Sequence, residues 1–382
     1  MGTTSSASSA ERSCHRSPPM GTLAQRSRLP ALRHNCMIRL RRLQPLKSWN
    51  TFGIAETAAY GTVCTRVEQL HSLRRRRELH GLPLLPLGAG SNVLFAEPFP
   101  GVVVRVRLRG IRCVAESAHE VLVEAAAGEP WHNFVRTCLT QGWYGLENLA
   151  LIPGTVGAAP VHNIGAYGVE VAEFLDGVEF WEHESGQFLW LPAAELGLGY
   201  RSSRLRTELL GRGILTRVRF RLLRRPRPHA QYPTLAALLE RERIRHPTPW
   251  DIFHAVCRLR RQRLPDPRRL PNAGSFFRNP IVPARQAQEL RQRYPELPLF
   301  PAGADSVKIP AAWLIEQCGW KGYRRGDVGV APQHALVLVN YGGASGREIL
   351  QLAQEIARSV WERFQIRLEP EVLILPAQAW QP

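Results

Sequence analysis

Residues 145–171 read GLENLALIPGTVGAAPVHNIGAYGVEV, and this stretch limits what the chain can fold into more than any other. It carries five glycines and no Lys or Arg. The gap is wider still. The 64 positions between Arg136 and Arg201 hold no basic residue, in a chain with 50 Lys and Arg. Glycines at irregular spacing let a backbone bend sharply and come close to another body. Pro153, Gly154, Thr155 and Gly157 together predict a turn feeding a short helix. The N–H groups at such a helix start are free and can hold an anion without any basic side chain. The same residues also suit a buried glycine-rich turn in a large core, and spacing leaves both readings open.

At 382 residues the chain has room for two or three domains with sizeable cores. No apolar run approaches the 18 or more residues of a membrane span, so no membrane partner is expected. The seven cysteines are scattered, odd in number and form no CxxC pair. That argues against a disulfide framework or a zinc site and for a reducing compartment. The histidines form no HExxH or comparable cluster, so no metal is expected. The net charge of +18 raises nucleic acid as a partner. That charge is nearly all Arg, in short clusters at 74–77, 224–227, 258–263 and 268–269. No zinc finger, helix-turn-helix or aromatic RNA signature accompanies it. A solvated Arg-rich surface is the favoured reading, and no nucleic-acid partner is expected. Such a surface still attracts an anionic nucleotide substrate.

Residues 1–46 are rich in Ser, Arg and Pro, with Glu11 their only acidic residue. They lack sustained apolar periodicity and are expected to form a disordered basic extension. Their composition resembles a transit peptide, without a well-formed amphipathic helix. All three methionines, Met1, Met20 and Met37, lie here, and a true start at Met20 or Met37 is one hypothesis.

Beyond the extension, strand and helix signals alternate. Residues 62–79 read as a strand edge followed by a helix. Residues 82–95, LPLLPLGAGSNVLF, read as a strand, a turn and another strand. The turn formed by Gly88, Ala89, Gly90, Ser91 and Asn92 can offer successive N–H groups to a pyrophosphate, with Ser91 and Asn92 adding side-chain donors. It lacks GxGxxG ahead of a helix, so a doubly wound dinucleotide domain is not expected. Residues 102–106 and 121–126, and a pair within 178–190, suit strands. Residues 131–141 suit a helix, and 214–222 alternates apolar and basic residues as a half-exposed strand does. Helices are expected at 232–244, 250–261 and 346–364. The last has Ile349, Leu350, Leu352, Ala353, Ile356, Ala357, Val360 and Trp361 at helical spacing. Residues 306–319 read as a strand end and a helix, and 328–340 as strand, turn and strand.

In PNAGSFFRNP, residues 271–280, Gly274 permits a tight turn that exposes the Ser275 hydroxyl, with Phe276 and Phe277 as anchors. No GxSxG elbow and no His–Asp pair is present to activate that serine, so a hydrolase is poorly supported. LEPEV, residues 368–372, enters a last strand, with Glu369 and Glu371 on one face at period two. Read locally, Arg201 is a surface cation, Ser275 a turn serine and Glu371 a solvent-exposed acid.

Several motifs occur together and in order: KSWNTFGI at 47–54, the turn at 88–92, the segment 145–171, GYRSS at 199–203, PNAGSFFRNP and LEPEV. From about Lys47 to Leu375 the chain resembles the UDP-N-acetylenolpyruvoylglucosamine reductase family, in its longer, type I branch. The resemblance implies an α+β protein. A two-part FAD-binding domain of the vanillyl-alcohol oxidase type is expected at 47–225 and an α/β substrate-binding domain at 226–382. It also implies an oxidoreductase of peptidoglycan precursor synthesis, a cytoplasmic monomer. NADPH reduces bound FAD, which in turn reduces UDP-N-acetylglucosamine enolpyruvate to UDP-N-acetylmuramate.

The implied FAD cradle is Gly88, Ala89, Gly90, Ser91 and Asn92 with Ile152, Pro153, Gly154, Gly157, Ala158, Ile164 and Gly165. Arg201 falls on the family's active-site Arg. A guanidinium there can bind the substrate carboxylate bidentately and stabilise developing enolate charge. Ser275 falls on the proton donor and Glu371 on the catalytic Glu, with Glu369 its neighbour. Tyr232, Asn279 and Gln317 fall on substrate-binding positions, Tyr232 on a loop that closes over substrate. Arg263 stands where the family carries a Lys, which keeps charge but not geometry. Two other classes compete: a different FAD oxidoreductase of the same fold, and a basic nucleic-acid-binding protein. PNAGSFFRNP and LEPEV oppose the first, and the 64 residues free of Lys and Arg oppose the second in that region.

Overall fold

The computed structural model describes residues 37–381, and the expected extension at 1–36 lies outside the described residues. The disorder expected up to residue 46 does not hold for residues 37–46. The strand Arg41–Pro45 pairs antiparallel with Thr57–Cys64, and Ile38 and Leu46 are buried. It is an edge strand whose outer positions, Arg39, Arg41 and Arg42 among them, face solvent. Too few of its residues are apolar to announce it.

The architecture is α+β. In the first sheet Thr57–Cys64, Phe99–Val106 and Leu84–Leu87 run parallel in that order, with Arg41–Pro45 outside them. Val102, Val103 and Val104 are all buried, the unbroken apolar run of a strand covered on both faces. The second sheet is antiparallel: Phe188–Pro192, Leu175–Glu182, Gly213–Leu223, Glu120–Ala126 and Ile111–Glu116. Along Gly213–Leu223, Val218, Phe220 and Leu222 are buried, and Arg217, Arg219 and Arg221 lie on the opposite face. There they meet acids. Arg219 and Arg112 both bond Glu124, and Arg221 bonds Asp176. Burial raises the Glu124 carboxyl, but hydrogen bonds from Arg219 and Arg112 outweigh it and hold it below the ordinary carboxylate value.

Two large cores divide the chain later than residue 226. Helices Pro233–Arg241 and Pro249–Arg263 bury Leu235, Leu238, Ile252 and Val256 in the same core as the second sheet. An apolar stripe shows that a helix packs, not which neighbour it packs on, and these two pack on residues before 226. The second core gathers Phe52, Ile54, Leu94, Phe276 and Phe277 with helix Gly346–Phe364. A reciprocal cap between Ser345 and Glu348 starts that helix. Trp361, expected on its apolar stripe, is instead 40% exposed beneath Arg367.

The strand, turn and strand expected at 82–95 form, and two other local expectations change in ways that matter for function. Leu84–Leu87 and Val93–Phe95 do not pair with each other. The first joins the first sheet, and the second pairs in parallel with Leu373–Leu375. The Ser275 segment is not a tight turn but a strand, Asn272–Ser275, beside Val337–Asn340. Its register is irregular, with Gly274 at φ +72. The last strand begins at Leu373, beyond LEPEV, so Glu369 and Glu371 share no strand face. The Glu369 side chain is 75% exposed and that of Glu371 20%.

A chain begun at Met37 should unfold in urea at the midpoint of the full-length protein. One begun at Lys47 should lose about 4 kcal/mol, from burial of Ile38 and Leu46 at about 2 kcal/mol each. Equal midpoints for both would show that Arg41–Pro45 contributes nothing to stability.

Candidate active site

The two glycine-rich turns meet. A Cβ at Gly88 would stand 2.5 Å from Thr155 Oγ1, one at Gly90 1.9 Å from the Trp49 carbonyl oxygen, and one at Gly157 2.6 Å from Ala127 Cβ. Only residues without a Cβ let these backbones close on one another. Gly90 also takes a left-handed φ of +69. Among the described residues, no backbone acceptor takes the N–H groups of Ala89, Gly90, Ser91 or Asn92. The turn therefore presents a run of free donors of the kind that holds a pyrophosphate. A short helix, Ala158–Val161, follows the second turn as expected. Gly88, Ala89, Gly90, Ser91, Asn92, Ile152, Pro153, Gly154, Gly157, Ala158, Ile164 and Gly165 all line one cleft. Its donors and close-packed glycine turns fit FAD.

Arg201, Ser275 and Glu371 line the same cleft. Arg201 sits at φ +52, left-handed for a residue with a Cβ, in a turn closed by Gly199 N–H to Ser202 O at 3.0 Å. That backbone costs about 1–2 kcal/mol. The turn aims the guanidinium back at the glycine-rich segment. Nη2 donates to Gly165 O at 2.7 Å and Nη1 to Asn163 O at 3.3 Å. Nε lies 3.1 Å from Glu371 Oε1, in ion-pair contact but without hydrogen-bond alignment.

Glu371 is clasped from both sides. Its N–H donates to Phe276 O at 2.7 Å, and its carbonyl accepts from Asn92 Nδ2 at 3.3 Å. Burial pushes its carboxyl above the ordinary value, although Arg201, Arg206 and Arg278 pull it down. Thr51 ties the first turn to the Ser275 strand. Its N–H donates to Gly90 O at 2.9 Å and its hydroxyl to Asn272 O at 2.6 Å. Ser275 lines the cleft beside Gly274.

The four expected substrate-binding residues stand apart from this lining. Tyr232 is 41% exposed and meets Tyr167 edge-on, with ring centres 5.5 Å apart. Asn279 Oδ1 accepts from Ala311 N–H at 3.0 Å, at the start of helix Ala311–Gln317. Gln317 ends that helix, and its carbonyl accepts from Arg363. Arg263 is exposed at the end of helix Pro249–Arg263. In turn, the cleft wall contains His162, Arg206, Arg260 and Asn272, none singled out from the sequence. His162 lies inside the glycine-rich segment, which was a usable signal. Arg206 and Arg260 look like any other Arg of this chain. Among the described residues no His, Cys, Asp or Glu cluster suits a metal.

Known proteins resemble this chain over most of its length. The profile of the UDP-N-acetylenolpyruvoylglucosamine reductase C-terminal domain matches residues 266–375, and that of the FAD binding domain matches 59–192. The chain is 49% identical to UDP-N-acetylenolpyruvoylglucosamine reductase of Chromobacterium violaceum over 331 residues, 86% of this chain and 97% of that protein. It is 46% identical to the reductase of the same name from Pseudomonas aeruginosa over 329 residues, 85% and 96% of the two chains. Among solved structures, UDP-N-acetylenolpyruvylglucosamine reductase from Thermus caldophilus matches with a TM-score of 0.62 at 27% identity, over 89% of this chain and 100% of that one.

Gly90→Ala should strip FAD from the purified protein, because the added methyl meets backbone at 1.9 Å. Gly274→Ala, at a similar φ but with nothing within 4 Å of its Cβ, should keep FAD and cost only about 1–2 kcal/mol of stability. Flavin absorbance per protein and a melting curve decide it, and full FAD in Gly90→Ala would contradict the close packing.

Proposed function

The chain belongs to the UDP-N-acetylenolpyruvoylglucosamine reductase family, and from that premise we propose how its residues divide the reduction of UDP-N-acetylglucosamine enolpyruvate to UDP-N-acetylmuramate. It is an FAD-dependent oxidoreductase that consumes NADPH in making this peptidoglycan precursor. FAD held by the turns at 88–92 and 152–165 would supply two-electron hydride chemistry between NADPH and the enol ether. Among the described residues no helix is long and apolar enough to cross a membrane, and our reading is a cytoplasmic monomer.

Arg201 binds the enolpyruvyl carboxylate. A guanidinium has five N–H donors, and the bonds to Gly165 O and Asn163 O orient it without exhausting them. Hydride arriving at the β-carbon drives charge onto the α-carbon and its carboxylate, and a cation already in place stabilises that charge without reorganising. Ser275 gives its hydroxyl proton to the α-carbon. The alkoxide left behind shares the cleft with Arg201 and Arg206 and regains its proton from solvent. Glu371, raised by burial, shares a proton with the developing enolate and lies 3.1 Å from Arg201 Nε. Asn279, Gln317, Tyr232 and Arg263 serve the nucleotide-sugar portion. One observation supports this reading above the rest: three groups from distant parts of the chain share a cleft with both glycine turns.

Ser275→Ala should still let NADPH bleach the flavin at the normal rate, while its reoxidation by substrate slows about 10²–10⁴-fold. Stopped-flow absorbance separates the two steps, and normal reoxidation would remove Ser275 as the donor. Glu371 has a raised pKa and acts when protonated, so reoxidation should fall as pH rises through that pKa. Glu371→Gln cannot ionise and should lose this limb, and a Gln variant that keeps the limb would rule the carboxyl out as its source.

A further inference from the structure

Arg206 lies in the cleft wall beside Glu371 and Arg278. A guanidinium in such a place usually pairs with a carboxylate. Among the described residues Arg206 makes no ion pair, and the one nearby acid, Glu371, is engaged by Arg201 at 3.1 Å. What holds Arg206 is an imidazole. Its Nη1 lies 3.2 Å from His162 Nδ1.

The hydrogen bonds fix the state of that ring. A guanidinium nitrogen can only donate. Asn92 Nδ2 approaches the same Nδ1 at 3.3 Å, and its bond to the Glu371 carbonyl sets the amide as a donor too. Two donors on Nδ1 require a lone pair there. The ring is therefore neutral, with its proton on Nε2. Burial first, then Arg206, Arg201 and Arg278, push it down to about 3, so it takes up no proton near neutral pH. Arg206 is lowered to about 10, by burial first and Arg278 next, and stays charged at neutral pH. A carboxylate in place of His162 would seat Arg206 equally well and cancel its charge. An imidazole seats it and cancels nothing. The cluster holds three guanidiniums, Arg201, Arg206 and Arg278, against the Glu371 carboxyl and, at 3.7 Å from Arg278, Glu369. Three cations against at most two negative charges leave the cluster net positive.

We propose that Arg206 is a second cation for the enolpyruvyl carboxylate, and that His162 is its positioning residue, an uncharged acceptor that holds the guanidinium without neutralising it. This rests on the substrate assigned above. The carboxylate is the fitting anion because Arg206 sits on the Arg201 and Glu371 side of the cleft. The run of N–H groups at 89–92 already suits a pyrophosphate.

The test uses full-length, FAD-loaded, oxidised enzyme, which binds substrate without turning it over. UDP-N-acetylglucosamine enolpyruvate is titrated against the flavin spectrum, and UDP-N-acetylglucosamine, which lacks the carboxylate, serves as the control ligand. Arg206→Met should weaken the first by about 10–100-fold and the second by less than about threefold. His162→Gln keeps a neutral acceptor and should hold substrate affinity within about threefold of wild type. His162→Glu keeps an acceptor but adds a negative charge and should behave like Arg206→Met. Wild-type affinity in Arg206→Met overturns the proposal. So does equal loss for both ligands, or His162→Glu matching His162→Gln. A shifted flavin midpoint potential in Arg206→Met with unchanged substrate affinity also overturns it, by giving the cation to the cofactor. If His162→Glu fails to retain FAD, Arg206→Met decides alone. Wild-type enzyme that neither binds the substrate nor is bleached by NADPH would instead refute the function itself.

Discussion

The site depends on one short parallel pairing, Leu373–Leu375 beside Val93–Phe95. Leu373 N–H donates to Asn92 O at 3.1 Å and Ala96 N–H to Leu375 O at 2.8 Å. Val93, Leu94, Phe95 and Ile374 are buried around it. The pairing returns the end of the chain to the turn at 88–92 and so brings Glu371 to Asn92. On its other side Glu371 is bonded to Phe276, and Arg278 N–H donates to Glu369 O at 2.9 Å. The carboxylate is thus held between the first glycine turn and the Ser275 strand. The pairing acts with the Phe276 and Asn92 bonds to set the distance between Glu371 and Arg201.

The charge distribution follows from the same geometry. On the second sheet, Arg112, Arg219 and Arg221 are matched by Glu124 and Asp176, so part of the Arg excess is neutralised where it stands. The cleft is arranged the other way. Its glycine-rich wall contributes carbonyls and N–H groups and no cation of its own, and Arg201 and Arg206 enter from beyond residue 200. Basic side chains within 137–200 at that wall would repel both guanidiniums. The absence of Lys and Arg from the lining at 152–165 therefore suits the electrostatics of the site as well as its close packing.

Strain is concentrated at the same place. Arg201 and Asn163 both take positive φ, at +52 and +38. Asn163 is buried and bonded through Nδ2 to Glu170 and Gly199 O, and its own carbonyl receives Arg201 Nη1. Each unfavourable backbone is over-determined by hydrogen bonds, and the result is a guanidinium with little freedom to move.

Local pattern determined much of this protein. The apolar runs at 84–87 and 102–106, the helical stripe at 346–364 and the two glycine turns were all legible, because pleat, helix period and glycine conformation are short-range properties. The motif order carried the family. Other features were decided only by tertiary structure. An apolar stripe cannot state its partner, so Pro233–Arg241 and Pro249–Arg263 joined the earlier core. A basic edge strand has little apolar signal, so Arg41–Pro45 passed for disorder. Glu369 and Glu371 looked equivalent by spacing, and only the strand start at Leu373 turned one outward and one into the cleft. His162 and Arg206 are 44 residues apart in sequence. Their pairing depends on how two loops close in space, and residue type at either position does not encode that.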